Sequence, residues 1–81
     1  MNILILNTKI ENLDYRNIYM IKTMVNGLLS EFNEAINKNN FKYAVLMRSY
    51  LEKIHNKIKP NLLWSKKVNM ALNDMDKKLN Q

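Results

Sequence analysis

The scarcity of helix-breaking residues most constrains what this chain can fold into. Its 81 residues include a single glycine, Gly27, and a single proline, Pro60. Sheets with many tight hairpins need several such residues, because the favoured turns place glycine or asparagine at positive φ. The sequence therefore disfavours a β-sandwich or barrel, and we predict an all-α fold.

Length and composition bound the class of protein further. The chain is 47% hydrophobic and 25% charged, which is average for a folded domain, and its length suits one small domain, residues 1–81. It has no cysteine, which excludes disulfides, thiolate metal sites and thiol nucleophiles. No apolar run approaches the ~20 residues that span a bilayer. We expect a single domain located in the cytoplasm.

Apolar side chains recur every three and four residues over three stretches, which is typical of amphipathic helices. The spacing predicts helices over residues 12–38, 41–59 and 62–79. The polar turn at residues 37–40 suits a tight connection, and Pro60 ends the second helix. We therefore predict a small three-helix bundle that contains a helical hairpin. The apolar positions are Ile18, Ile21, Val25, Leu28, Phe32 and Ala35, then Ala44, Met47, Leu51, Ile54 and Ile58, then Trp64, Val68, Ala71, Leu72, Met75 and Leu79.

The first residues form a short apolar segment, Met1–Leu6. Four consecutive aliphatic residues within it are too continuous for a half-exposed strand and too few for a helix of their own. Thr8 is followed by Glu11 at the spacing of a capping box, and Asp14 is a second candidate N-cap. We expect the first helix to begin between Thr8 and Asp14, and the apolar segment to dock on the bundle or on a partner.

One stretch of the predicted hairpin, residues 28–58, carries a known pattern. A short polar turn is followed by an aromatic residue, an alanine, an arginine and two aliphatic residues at helical spacing. The pattern is formed by Leu29, Ala35, Asn40, Phe41, Ala44, Met47, Arg48, Leu51 and Ile54. It resembles the UVR motif, a helical hairpin of excision-repair proteins and some protease adaptors, in which Ala44 would allow close helix crossing and Phe41 would plug the hairpin end. The resemblance implies docking on another protein and no catalysis.

Residues that carry catalytic chemistry are sparse. His55 is the only histidine, and Glu52 is the only potential ligand at helical spacing from it, so neither a zinc site nor a general base is indicated. A single glycine excludes a glycine-rich phosphate loop. No base stands in evident register with Ser30, Ser49 or Ser65. We expect no catalytic residues, no cofactor and no metal, and therefore no enzyme.

Charge is distributed unevenly along the chain. Residues 1–40 contain four basic and four acidic side chains, so the whole net charge of +6 lies in residues 41–81. A cluster around the second interhelical turn, with no acid between residues 53 and 73, predicts a partner-binding patch for an acidic protein surface or for phosphates. The predicted basic patch consists of Lys53, His55, Lys57, Lys59, Trp64, Lys66 and Lys67.

The predicted helices carry more apolar stripes than a three-helix bundle can bury, and surplus apolar surface is typical of an interface. Met20 and Met24 form a second stripe on the first helix, and Gly27 continues it one turn on. Because glycine has no side chain, a neighbouring backbone can approach there closely. This stripe predicts self-association as a homodimer.

Codon bias is visible in the composition, since 14 asparagines, 11 lysines and 8 isoleucines have codons rich in A and T. A short lone domain from an AT-rich genome resembles the accessory proteins of large AT-rich bacteriophages, which act in the host cytoplasm. We predict a small non-enzymatic protein-binding regulator, an adaptor or inhibitor of a host or phage target. The alternative is a basic helical nucleic-acid-binding protein that uses residues 53–67, and a membrane surface is a less favoured partner.

Overall fold

The computed structural model describes residues 2–81, which form four helices and no strand. These are α1 (Ile3–Glu11), α2 (Ile18–Asn37), α3 (Phe41–Lys57) and α4 (Leu62–Leu79). The radius of gyration is 12.1 Å, close to the ~12 Å of a folded domain of this length. The predicted all-α class is confirmed, whereas the predicted count of three helices is wrong by one. No helix among residues 2–81 is both long and apolar enough to cross a membrane.

Every one of these four helices is capped at its N-terminus by an asparagine. The Asn2 side-chain oxygen accepts hydrogen bonds from the backbone N–H groups of Leu4 (3.0 Å) and Ile5 (3.2 Å). Such bonds satisfy N–H groups that have no partner within the helix. Four of the fourteen asparagines are therefore structural, whatever the codon bias that supplied them. The other three caps are Asn17 to Met20 N–H, Asn40 to Tyr43 N–H and Asn61 to Trp64 N–H.

The N-terminal region differs from its prediction. Ile3–Leu6 of the apolar segment and Thr8 lie inside a helix of their own, α1, and α2 begins only at Ile18. Met1 lies outside the described residues. Asp14 lies in the connection between the two helices, where its carboxylate accepts the Arg16 N–H at 2.8 Å. The predicted start of a first helix at about residue 12 is therefore wrong.

Tertiary packing explains why α1 forms at all. A helix of nine residues is shorter than the ~12 to 15 residues that are marginally stable alone in water. Leu6, Ile10 and Leu13, spaced four and three residues apart, are buried in the same core as α2 and α3. The helix is thus stabilised by burying one side chain per turn against the rest of the molecule.

The turn between α2 and α3 has the predicted form. Asn39 adopts a positive φ of 58°, which asparagine tolerates better than most residues, and Asn40 donates its N–H to the Ala35 carbonyl at 2.8 Å. Ala44 is fully buried where α3 packs on α2. Phe41 does not plug the hairpin end, because its side chain is 48% exposed.

The second turn is placed slightly earlier than predicted. α3 ends at Lys57, the Ile58 N–H bonds to the Ile54 carbonyl at 3.1 Å, and Pro60 lies in the turn itself. Because Asn61 caps α4, Trp64 is the third residue of that helix. The predicted start of the last helix at residue 62 is thereby confirmed.

Helices α1 and α4 flank the α2–α3 hairpin. α4 packs on both α2 and α3, whereas α1 packs on α3 and borders a groove beside α2. All core positions predicted for the helix over residues 41–59, which corresponds to α3, are buried. Of the other predicted core positions, Ile18 in α2 is exposed, and Trp64, Ala71 and Leu79 in α4 are half-buried. The predicted core residues that are buried are Ile21, Val25, Leu28, Phe32, Ala35, Ala44, Met47, Leu51, Ile54, Ile58, Val68, Leu72 and Met75.

Candidate functional site

The predicted basic patch is spread over several surfaces of the molecule. Lys53 and Lys57 line a groove between α3 and α1, beside Glu11. His55 lies on the other side of α3, because positions two residues apart in a helix differ by about 200° around its axis. It faces Ser65 of α4. Lys59 is exposed in the turn, so these four basic residues do not form one continuous patch.

His55 and Ser65 form a pair that sequence reasoning missed. The Nε2 atom of His55 lies 3.2 Å from the Ser65 hydroxyl, and both residues are half-buried between α3 and α4. Nearby Glu52 accepts instead from Arg48 at 2.8 Å. The two residues lie in different helices, so their approach has no signal in local spacing. We interpret the pair as a link between helices.

Trp64 and Lys67 interact one turn apart on α4. The Lys67 ammonium lies 4.7 Å from the centre of the Trp64 ring, a cation–π contact. Trp64 is half-buried against the core, so its indole is held on one side by the protein. The contact also explains why a lysine stands near the positive end of a helix dipole, which disfavours cations. The face under Lys67 is not open for stacking a base.

One end of the bundle gathers exposed apolar side chains. Because the connections are short and successive helices of the hairpin and α4 run antiparallel, α2 and α4 begin where α3 ends. The Asn61 side chain donates to the Tyr15 carbonyl at 2.9 Å and joins the two helix starts. We call residues 15–22 and 57–67 the basic end. Its exposed apolar residues are Tyr15, Ile18, Tyr19, Leu62 and Leu63.

The charge at the basic end is positive. Lys22, Lys59, Lys66 and Lys67 are exposed, and none of them forms an ion pair with a carboxylate of residues 2–81. The N-termini of α2 and α4 add the positive ends of two helix dipoles. Arg16 is neutralised by Asp14 at 2.9 Å, and its hydrogen bond lowers the pKa of the Asp14 carboxyl. The surface as a whole favours an anionic partner.

The predicted dimer stripe is partly hidden. Met24 is only 7% exposed and Met20 is half-buried, so neither forms the open surface that was predicted. A Cβ atom placed on Gly27 would meet nothing within 4 Å, so no neighbouring backbone of the described chain approaches there. Met24 and Gly27 instead line an apolar groove of about 260 Å³ between α2 and α1, together with Ile5.

The acidic pair on α2 is engaged by neighbours. Tyr43 donates its hydroxyl to Glu31 at 3.3 Å, and burial together with that carboxylate raises the pKa of Tyr43. Lys38 donates to Glu34 at 2.8 Å, and this hydrogen bond lowers the pKa of Glu34. Among residues 2–81 no three histidine or carboxylate side chains lie close enough to hold a metal ion.

Comparison with known proteins adds no relative. No protein-family model, no curated protein and no solved structure matches this chain. The resemblance of residues 28–58 to the UVR motif therefore stays a prediction that rests on the hairpin residues alone.

Proposed function

We propose that this chain is a small non-enzymatic regulator that acts by docking its basic end on another protein, as an adaptor or inhibitor. One observation carries the proposal. Leu62 and Leu63, adjacent in the first turn of α4, are 81% and 63% exposed, and Tyr19 at the start of α2 is 79% exposed. Single exposed apolar residues are ordinary, but a group at one end of a small protein is typical of an interface.

Charge defines the chemistry of the partner. Lys59, Lys66 and Lys67 lie within four residues of the exposed leucines and form no ion pair with residues 2–81, so the complementary surface carries carboxylates beside an apolar centre. The apolar contacts supply affinity, and the lysines speed encounter with an acidic surface and orient it. A cytoplasmic host or phage protein with such a surface fits the role predicted from the composition.

Arginine usage favours a protein partner over nucleic acid. Bidentate contact of arginine to guanine is the commonest specific contact to a base. Arg16 bonds to Asp14, and Arg48 bonds to Asp76 at 2.6 Å and to Glu52 at 2.8 Å. Both arginines of the chain are thus occupied, and Lys67 covers the Trp64 ring. Phosphate binding by the remaining lysines is the alternative that the experiment tests.

The test is affinity capture from a lysate of the native host, with nuclease treatment and washes at low and high salt. We expect one protein to remain bound after both treatments, because apolar contacts depend weakly on ionic strength. A nucleic-acid complex with about six phosphate contacts weakens about 10³-fold between about 50 and 200 mM salt. The captured protein is then purified and titrated against the chain by calorimetry.

Matched variants locate the surface. The double variant Leu62→Ser, Leu63→Ser removes apolar area at the basic end, and both side chains are exposed, so folding is preserved. Leu4→Ser removes an equally exposed leucine on a different helix, α1. We expect the affinity of the double variant for the purified partner to fall at least tenfold. Leu4→Ser should bind the partner with the affinity of the wild type.

Two outcomes would contradict the proposal. Loss of all captured material after nuclease would make the lysines of the basic end a phosphate-binding surface. Unchanged binding of the purified partner by the Leu62→Ser, Leu63→Ser variant, with a normal circular dichroism spectrum, would place the docking surface elsewhere.

A further inference from the structure

We propose that α1 is a strap that opens at the junction of Leu13 and Asp14 while α2, α3 and α4 stay folded. The strap then controls access to an apolar surface on α2 and α3. The inference does not depend on the proposed function, because α1 lies outside the basic end. Three observations carry it: the absence of polar links from α1 to the bundle, loose packing around α1, and an anchor directly after it.

Polar side chains leave α1 unattached to the rest of the molecule. The side-chain hydrogen bonds of α1 and its two flanking residues join residues 2–13 only to one another. Glu11 shares a groove with Lys53 and Lys57 but forms no ion pair with either. Within the described part of the chain, residues 2–13 are therefore held on the bundle by apolar contacts alone, which have no directional preference.

The apolar contacts of α1 are few. Leu6, Ile10 and Leu13 are the only buried residues among residues 2–13. Open grooves of about 310 Å³ and about 260 Å³ separate parts of α1 from α3 and from α2, and a third of about 220 Å³ lies between the end of α1 and the start of α2. Atoms beside such gaps lose part of their dispersion attraction, so α1 is more weakly bound to the bundle than a helix with closely packed neighbours.

An anchor follows α1 directly. The Asn61 side chain donates to the Tyr15 carbonyl at 2.9 Å and so ties residue 15 to the start of α4. Before that residue, the Asp14 carboxylate accepts the backbone N–H of Arg16 at 2.8 Å, which fixes the turn that leads into α2. The chain from Asp14 onward therefore belongs to the bundle, whereas residues 2–13 do not share its polar bonds.

The backbone hydrogen bonds locate the hinge. The N–H of Leu13 donates back to the carbonyl of Ile10 at 3.1 Å, and the carbonyl of Asp14 accepts from the N–H of Asn17, further along the chain, at 2.9 Å. No backbone hydrogen bond of the described chain connects the two sides of the Leu13–Asp14 junction. A rotation at this junction therefore opens α1 without breaking a hydrogen bond, and its cost is limited to the exposure of apolar area.

Opening uncovers apolar surface on the hairpin. Leu6 lines the same groove as Met24 of α2, and Ile10 lines the groove against α3. Met24 is only 7% exposed in the closed chain, and removal of α1 takes away part of its cover. Because α1 stays tethered at a millimolar effective concentration, it closes again, and the surface is accessible only while the strap is open.

Hydrogen exchange of the wild type, measured amide by amide by NMR, tests the opening. We expect the hydrogen-bonded amides of α1 to share one protection factor, at least about 100-fold below that of the α3 amides, with a step between Leu13 and Asn17. Low urea should leave the exchange of α1 nearly unchanged, because opening exposes little area. Equal protection of α1 and α3 would overturn the proposal. Protection that rises gradually along α1 would also overturn it, since fraying from the N-terminus has no hinge.

A charge placed under the strap should hold it open. Ile10→Asp puts a carboxylate at a position that is 3% exposed, whereas Leu4→Asp puts the same group at a 79% exposed position in the first turn of the same helix. In Ile10→Asp we expect the α1 amides to lose protection while the protection of the α3 amides stays within about tenfold of the wild type. Leu4→Asp should exchange as the wild type does. Loss of protection throughout the Ile10→Asp chain would make α1 an integral part of the core and contradict the proposal.

Thiol labelling measures access to the surface under α1, because the chain has no cysteine of its own. Met24→Cys places a thiol under the strap, and Met75→Cys places one at a buried position of α4 as the control. Adding Ile10→Asp should raise the labelling rate of Met24→Cys at least about tenfold and leave that of Met75→Cys unchanged. An equal increase at both positions, or no increase at position 24, would show that α1 does not control access to this surface.

Discussion

The two helices that flank the hairpin are attached in different ways. α4 buries Val68, Leu72 and Met75 and is joined to other elements by polar side chains, including Arg48 to Asp76 at 2.6 Å. α1 buries only Leu6 and Ile10, and the side-chain hydrogen bonds of its residues are all local. We expect these directional bonds to make α4 part of the cooperative unit and their absence to let α1 detach. The further links of α4 are His55 with Ser65, Lys78 with Asn33 and Asn61 with Tyr15.

The largest effect is expected from the well-attached flank. Leu72→Ala removes a buried side chain of α4 and should lower the free energy of unfolding by about 3 kcal/mol. The total free energy of unfolding of a domain of this size is roughly 4 to 12 kcal/mol. Urea denaturation followed by circular dichroism and by Trp64 fluorescence should give coincident transitions. Separate transitions for the two probes would show that α4 is not part of the same cooperative unit.

On the weakly attached flank the corresponding change should be milder. Ile10→Ala removes a buried side chain of α1, and we expect a loss of about 2 kcal/mol, at the low end for such substitutions, because α1 can detach while the rest stays folded. Hydrogen exchange at a concentration where the chain is monomeric checks this. The amides of α1 should exchange fast in the variant while those of α3 stay protected. Equal loss of protection in both helices would erase the distinction between the flanks.

Capping residues sharpen the same comparison. Asn61→Ala removes both the cap of α4 and the bond to the Tyr15 carbonyl, so it should cost about 1 to 2 kcal/mol. Asn2→Ala removes a cap of the exposed helix α1 and should cost less, since α1 contributes less to global stability. Thermal unfolding of both variants measures which substitution destabilises the protein more. A larger loss of stability in Asn2→Ala than in Asn61→Ala would contradict the prediction.

The smallest expected effect is a gain. Gly27→Ala adds a methyl group that meets no neighbour in the chain, inside a long helix. Replacing glycine by alanine in a helix interior should stabilise the protein by about 1 kcal/mol. Denaturation of the monomer at low concentration measures this, with Asn26→Ala as an exposed neighbouring control. A destabilised Gly27→Ala monomer would mean that α2 is more crowded at this position than the structure has it.

Sequence reasoning worked where the signal was local. The polar turn before Phe41 was recognised because asparagine both tolerates positive φ at Asn39 and caps the next helix at Asn40. The seam of α3 was recognised because its apolar residues repeat at helical spacing, and all of them are buried. α1 was missed because consecutive aliphatic residues hide the helical spacing of Leu6, Ile10 and Leu13. Asn2, as a cap four residues before Leu6, was the signal that could have revealed it.

The surfaces were harder to predict than the helices. Lys53 and His55 are neighbours in sequence, yet the rotation of a helix turns one toward α1 and the other toward α4. The exposure of Leu62 and Leu63 was not predicted, because nothing in the local sequence distinguishes an exposed leucine from a buried one. Their exposure depends on how α4 packs against the hairpin.

The amino-acid sequence by itself determined the helical class, the tight turn at Asn39 and the cap at Asn40, because these depend on backbone preferences within a few residues. Only the tertiary structure decided that Ile3–Leu6 belong to a helix, α1, that Met24 is buried, and that exposed leucines and unpaired lysines lie at one end. Each of these outcomes depends on which helix faces cover one another. That choice is made by burial of apolar area across the whole chain, and no single segment contains it.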